Sequence, residues 1–237
     1  MKTRQEIKAL SKAAFAEQRG SGIFVVVLFF AVSLGVGLVG GLLSQFLMGA
    51  LAVSDAMFLE GFLIGFLTTF IPTLFITYPL SVNMYGMFIK TYNKEKVSAG
   101  EMFSTFSVNY LRKVGGMTLY ILYVILWSIL LIVPGIIKAL AYYFTPFILA
   151  SCPNVTAKDS LKLSDKITNG HKVELFVLIL SFIPWILLGL LTCGILLVVY
   201  VIPYMYTTIA GYYIELRDNA IAKGVVDPAE FGMKADA

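Results

Sequence analysis

The sequence predicts an all-α polytopic membrane protein: six transmembrane helices paired as three hairpins, with short amphipathic helices on one face. Three observations lead there. First, 59% of the 237 residues are hydrophobic and 14% charged, with a mean hydropathy of +0.85. Soluble domains hold roughly 45–50% apolar and about 25% charged residues, and a chain of this size leaves too much surface in water to bury such an excess. Second, the apolar residues fall in four long runs, at 22–53, 61–89, 114–152 and 173–214. Third, the basic residues gather between alternate spans.

A helix rises about 1.5 Å per residue and needs about 20 residues to cross the hydrocarbon. The first two runs therefore read as one span each. The third and fourth are about twice that length, and each holds a breaker near its middle: Pro134-Gly135, and Thr192-Cys193-Gly194. The spans expected are 22–46, 61–89, 114–133, 136–152, 173–191 and 195–215. The first run follows basic residues, and an "ALA" at 50–52 resembles a cleavage site. It is nevertheless far longer than the roughly 7–15 residues of a signal core, so it reads as a retained span.

All but one of the 18 Lys and Arg residues lie before span 1, in the even-numbered connections, or after span 6. The opposite connections carry Asp55 and Glu60. The positive-inside rule then places both termini in the cytoplasm of a multi-pass cell (plasma) membrane protein. The exception is Lys138, the one charge between Val114 and Ser151. Two readings stay open for it. At the outer end of span 4 its stem can reach the headgroups while its ammonium stays wet. Facing a lumen, it can meet an anionic ligand.

An internal repeat is expected at an offset of 58, which sets Val97 on Val155, Glu101 on Asp159, Lys113 on His171 and Trp127 on Trp185, the chain's two tryptophans. "SAGE" at 98–101 is a capping box, and "TAKD" at 156–159 a looser one. Each opens a short helix that lies along the inner interface or caps the bundle. The expected organisation is one membrane domain, 1–217, in units of about 1–90, 91–152 and 153–217. A polar tail, 218–237, is expected to be mobile. Every unit starts and ends on the same side, unlike the inverted repeats of several transporters.

Candidate site residues follow from residue type and depth. Gly37 with Gly41, and Gly61 with Gly65, are small-xxx-small pairs that let helices approach closely; packing of spans 1 and 2 within the chain is favoured over dimerisation. Pro134, Gly135 and Pro203 mark turns or hinges, as do Pro72, Pro79, Pro146 and Pro184, since a proline frees a carbonyl and kinks a helix. Lys138, Asn83, Tyr142, Tyr143, Tyr200 and Tyr204 are candidates to line an amphipathic cavity. For Asn83 a cross-helix hydrogen bond serves as well, and for the tyrosines ordinary interhelix packing. His171 and Glu174 lie three apart, so an ion pair is possible there. No HExxH, GxSxG or phosphate-loop pattern occurs. No catalytic residue, metal or cofactor is expected. Cys152 and Cys193 fall at opposite faces and are not expected to pair. The Asn154 sequon lies on the cytoplasmic side.

Residues from about Lys113 to Leu216 resemble the signature half of an uncharacterised bacterial integral membrane protein family. The residues that carry the likeness are Pro134-Gly135, Pro153, Gly170-His171-Lys172, Phe176, Ser181-Phe182, Trp185 and Pro203-Tyr204. That family is distantly similar to the membrane domain attached to some glycerophosphodiester phosphodiesterases. The resemblance implies the fold and brings no agreed activity.

The expected function is therefore non-enzymatic. One reading is transport, or help with transport, of an amphipathic or anionic compound. A second is a membrane scaffold or regulator that binds anionic lipid or a partner protein. An intramembrane enzyme ranks last. Membrane lipid is the expected partner, with a protein partner or oligomer possible and no nucleic acid.

Overall fold

A computed structural model describes residues 2–51, 58–98 and 100–233. The connection that carries Asp55, residue 99 of the first capping motif, and the last four residues with Lys234 lie outside the described residues. Nine helices organise the described chain, which contains no strand. They are α1 (Arg4–Glu17), α2 (Arg19–Ala50), α3 (Leu59–Tyr92), the short α4 (Gly100–Phe103), α5 (Tyr110–Leu130), α6 (Ile132–Ser151), α7 (Ala157–Thr168), α8 (Lys172–Leu191) and α9 (Leu197–Ala222). Six of these, α2, α3, α5, α6, α8 and α9, are long and apolar enough to cross a membrane.

The reversals explain the spans. At the end of α5, Leu131 is extended (φ −161°, ψ 142°), and α6 starts at the next residue. The turn thus precedes Pro134, which stands in the first helical turn, where its missing N–H has no partner to lose. Gly135 has a separate task. A Cβ there would come within 2.7 Å of the Ser128 Cα, so glycine lets α6 fold back flat on α5. The α8–α9 reversal uses positive φ at Cys193 and Gly194 (51° and 83°). Four other prolines begin new helical segments instead of kinking old ones. Pro79, Pro146, Pro184 and Pro203 each sit at the first or second position of a segment. The preceding turn is irregular or π-helical, as at Thr73–Thr77 before Pro79 and Leu197–Val201 before Pro203; a further π-helical turn, Phe66–Phe70, comes before Pro72.

The bundle has two unlike halves. At the base, where the described residues begin and end at Lys2 and Met233, the even connections meet. Lys94 pairs with Glu17 at 3.0 Å, Asn109 donates to the Pro153 carbonyl at 3.2 Å, and Gly232 packs on Asn154. Here the core is apolar and aromatic: Leu80, Phe88, Phe144, Phe147, Ile148, Leu175, Phe182, Tyr212 and Tyr213 are all buried. At the hairpin end large apolar side chains face outward, with Leu42 70%, Ile129 78% and Leu191 82% exposed. Water would not tolerate such a band; hydrocarbon requires it.

The amphipathic helices do not lie flat. α1 opens with a capping box, Thr3 with Glu6, which the Thr-x-x-Glu spacing makes legible in the sequence. It buries Ile7, Ala14 and Phe15 in the bundle, and Lys8 Nζ donates to Ser181 Oγ at 2.6 Å. The tail beyond 217, expected to be mobile, is docked as far as described. α9 runs on to Ala222, and a capped turn (Pro228–Phe231) buries Phe231 beside Val226.

The two glycine pairs differ in what surrounds them. Gly61 meets Met48 at 3.3 Å and Gly65 meets Ser44 at 3.9 Å, both on α2. Gly37 and Gly41 meet nothing within 4 Å; the close approach falls on Gly40, whose missing Cβ makes room for the Thr68 carbonyl. The face of α2 that meets α3 is Gly40, Ser44 and Met48, spaced by four, which leaves Gly37 and Gly41 on other faces. We therefore expect Gly40→Val to cost about 1–3 kcal/mol, the usual cost of overpacking. Gly37→Val and Gly41→Val should shift thermal unfolding in detergent far less.

Candidate functional site: a basic cleft against a broken span

Span 4 is not continuous. α6 consists of Ile132–Ala141 and Thr145–Ser151, with a turn across Tyr142–Phe144. That break frees main-chain groups from the helical ladder, and α7 satisfies them. Ser164 Oγ donates to the Ala141 carbonyl at 2.7 Å and accepts from the Phe144 N–H at 3.1 Å; Thr168 Oγ1 donates to Ala141 at 3.2 Å. α7 starts where Thr156 Oγ1 accepts from the Asp159 N–H. It climbs three turns beside α5 and α6, burying Leu161, Ser164 and Ile167 on that side.

Its far end carries Asp165, held between two ammonium groups. Lys172 Nζ lies 2.9 Å from Oδ1 and Lys138 Nζ lies 3.5 Å from Oδ2. Lys138 is therefore not a free lysine at the outer end of span 4; it turns toward α7 and finds a carboxylate. Its ammonium also lies 5.3 Å from the Tyr142 ring and 5.7 Å from the Trp127 ring, within cation–π range. Burial alone would raise the Asp165 carboxyl. Hydrogen bonds and charge from Lys172 and Lys138 outweigh it and hold the group below the usual carboxylate range.

Between α5, the α6 break and α7 opens a cleft of about 800 Å³. Lys158, Lys162, Lys166 and Lys172 line it against one lining carboxylate, Asp165. Two of these lysines have further partners: Lys162 pairs with Asp159 at 2.9 Å and Lys166 with Glu230 of the docked tail. The opposite wall is Leu119, Tyr123 and Tyr142, the two rings edge-on at 5.9 Å. Leu122 and Leu126 continue that face of α5 by helical spacing and are 48% and 54% exposed. Basic groups thus stand at one lip and an apolar track leaves from the other.

The other candidates do not converge here. Tyr143 packs edge-on against Phe144 at 5.6 Å. Tyr200 and Tyr204 belong to an aromatic seam with Phe15, Trp185 and Phe182, and Tyr204 donates to the Lys8 carbonyl at 3.3 Å. Pro203 stands beside Gly22. Asn83 lines a different cleft. His171 does meet Glu174, at 3.2 Å, and Tyr212 donates to the same carboxylate. Among the described residues no cluster of His, Cys, Asp and Glu could hold a metal, and both cysteines are free.

Fold and cleft define a membrane-type helical bundle with a basic, partly apolar groove at its base. Residues 112–220, from the start of α5 through most of α9, match the model of a family described as "Protein of unknown function (DUF975)". No curated protein and no solved structure matches the chain.

Asp165→Asn should lower stability at neutral pH by about 1–2 kcal/mol, because two ammonium groups lose their carboxylate while keeping part of their surface in water. Asp165 has its folded pKa depressed, so its contribution is present above the ordinary carboxylate value of about 3.9 and is lost as pH falls through the lower folded value. Chemical unfolding followed against pH should therefore show wild type and Asp165→Asn converging below about pH 4.

Proposed function

We propose that the protein is a non-enzymatic, multi-pass protein of the bacterial cell membrane, with both termini cytoplasmic, and that it binds an anionic amphiphile in the α5–α6–α7 cleft. The observation that carries this is the pairing of four lysines on one lip with the apolar track of Leu122 and Leu126 on the other. An anionic phospholipid has that shape: a phosphate for the lysines and an acyl chain for the track. Near a bilayer surface each Lys contributes about 1 kcal/mol toward anionic lipid.

This reading joins two expectations. Anionic lipid is the partner, and moving or presenting that lipid, as an accessory to transport, is the role a sideways cleft suits. A scaffold built on flat amphipathic helices has less support, because α1 and α7 spend their apolar faces inside the bundle. Binding of a protein partner, or a second copy, stays secondary to it.

The test uses the full chain in nanodiscs of phosphatidylcholine with a minor fraction of phosphatidylglycerol. Native mass spectrometry should show phosphatidylglycerol retained over phosphatidylcholine. The triple variant Lys158→Gln, Lys162→Gln, Lys166→Gln should lose that preference at least tenfold. Equal retention of the two lipids, or a preference unchanged in the variant, would remove the cleft from the account.

A further inference from the structure

A second cleft, of about 460 Å³, lies at the base between α3, α4 and the start of α5. Its deepest charged group is Lys113, 7% exposed. Its Nζ donates to Asn83 Oδ1 at 2.8 Å. The orientation of that amide is fixed from behind: Asn83 Nδ2 donates to the Glu101 carbonyl at 2.8 Å, the Met102 carbonyl at 3.3 Å and Ser104 Oγ at 3.1 Å. So the oxygen faces the lysine, and a neutral oxygen is all it offers.

The charges around Lys113 are otherwise engaged. Of the two carboxylates lining the cleft, Glu101 takes Lys90 at 2.7 Å, and Glu95 takes the Asn93 amide at 3.3 Å. Arg112, next in the chain, spends its guanidinium on the carbonyls of Leu149, Cys152 and Val155, closing the end of α6 at 2.5–3.0 Å. It adds a second positive charge without adding a counter-ion. Among the described residues, then, Lys113 has no carboxylate within salt-bridge distance. An ammonium has three donors and a large desolvation cost. Burying one against a single neutral acceptor is unfavourable unless something else supplies negative charge.

We infer that this cleft is an oxyanion site, in which a phosphoryl or carboxylate oxygen meets Lys113, the one lining cation that no carboxylate neutralises among the described residues. The volume suits a small anion or one headgroup. The inference stands apart from the α7 cleft and does not depend on it.

The probe is inorganic phosphate, titrated calorimetrically into the full chain in neutral detergent. The background is Lys158→Gln, Lys162→Gln, Lys166→Gln, which leaves the first cleft only Lys172, already paired with Asp165. One phosphate per chain is expected, and adding Lys113→Met should abolish it. No binding in that background, or binding that survives Lys113→Met, would overturn the assignment. If Lys113→Met does not fold, reductive methylation of the unsubstituted chain decides. Phosphate should slow modification of Lys113, and the same extent of modification with and without phosphate would overturn the site. Two nanodisc arms separate the sources. Protection of Lys113 by phosphatidylglycerol without free phosphate identifies a lipid headgroup; protection by free phosphate in pure phosphatidylcholine identifies a soluble anion. Protection in neither arm counts against the proposal.

Discussion

The architecture depends on how a broken helix is made tolerable beside lipid. Between Ala141 and Thr145 the fourth span loses its ladder, and hydrocarbon offers nothing to the freed carbonyl and amide. Two hydroxyls from α7, Ser164 and Thr168, take those groups. To deliver them, a helix that carries Lys158, Asp159, Lys162, Asp165 and Lys166 must stand upright against the bundle. Its polar face then becomes the lip of a cleft, and its end brings Asp165 to Lys138 and Lys172. The cleft follows from repairing the break.

That constraint also divides the molecule. The base has a core of its own, with α1, α7, the lower parts of the spans and the docked tail all contributing buried side chains. The hairpin half lacks this and leaves its leucines and isoleucines to the bilayer. The basic groove accordingly has ammonium groups on one wall and apolar and aromatic side chains on the other.

Much of the fold was legible because hydropathy and breakers are local. The six spans, the Thr192–Gly194 reversal and the capped start of α7 follow from residues near one another in sequence. The α5–α6 reversal fell three residues early, at Leu131, since proline is acceptable in a first helical turn and so marks a region, not the turning residue. What stayed hidden depends on distant partners. Lys138 looked solitary because Asp165 is 27 residues away, on a helix whose amphipathic pattern gives its buried face but not its tilt. Lys113 counted as one more loop cation; only the packing of α4 over α3 buries it. The choice of Gly40 over Gly37 and Gly41 rests on the rotation of α2, which no single-sequence motif records.

The upright stance of α7 is the claim from which the cleft and its ligand follow. It is tested most directly in a chain freed of Cys152 and Cys193, with Tyr142→Cys and Lys162→Cys placed on opposite walls of the cleft. Treated in lipid nanodiscs with a short bifunctional maleimide, this pair should form an intramolecular cross-link as readily as a Lys158→Cys, Lys162→Cys pair one turn apart on α7. A cross-link in the latter pair but none across the cleft would mean that α7 lies away from the break, and the account would fail.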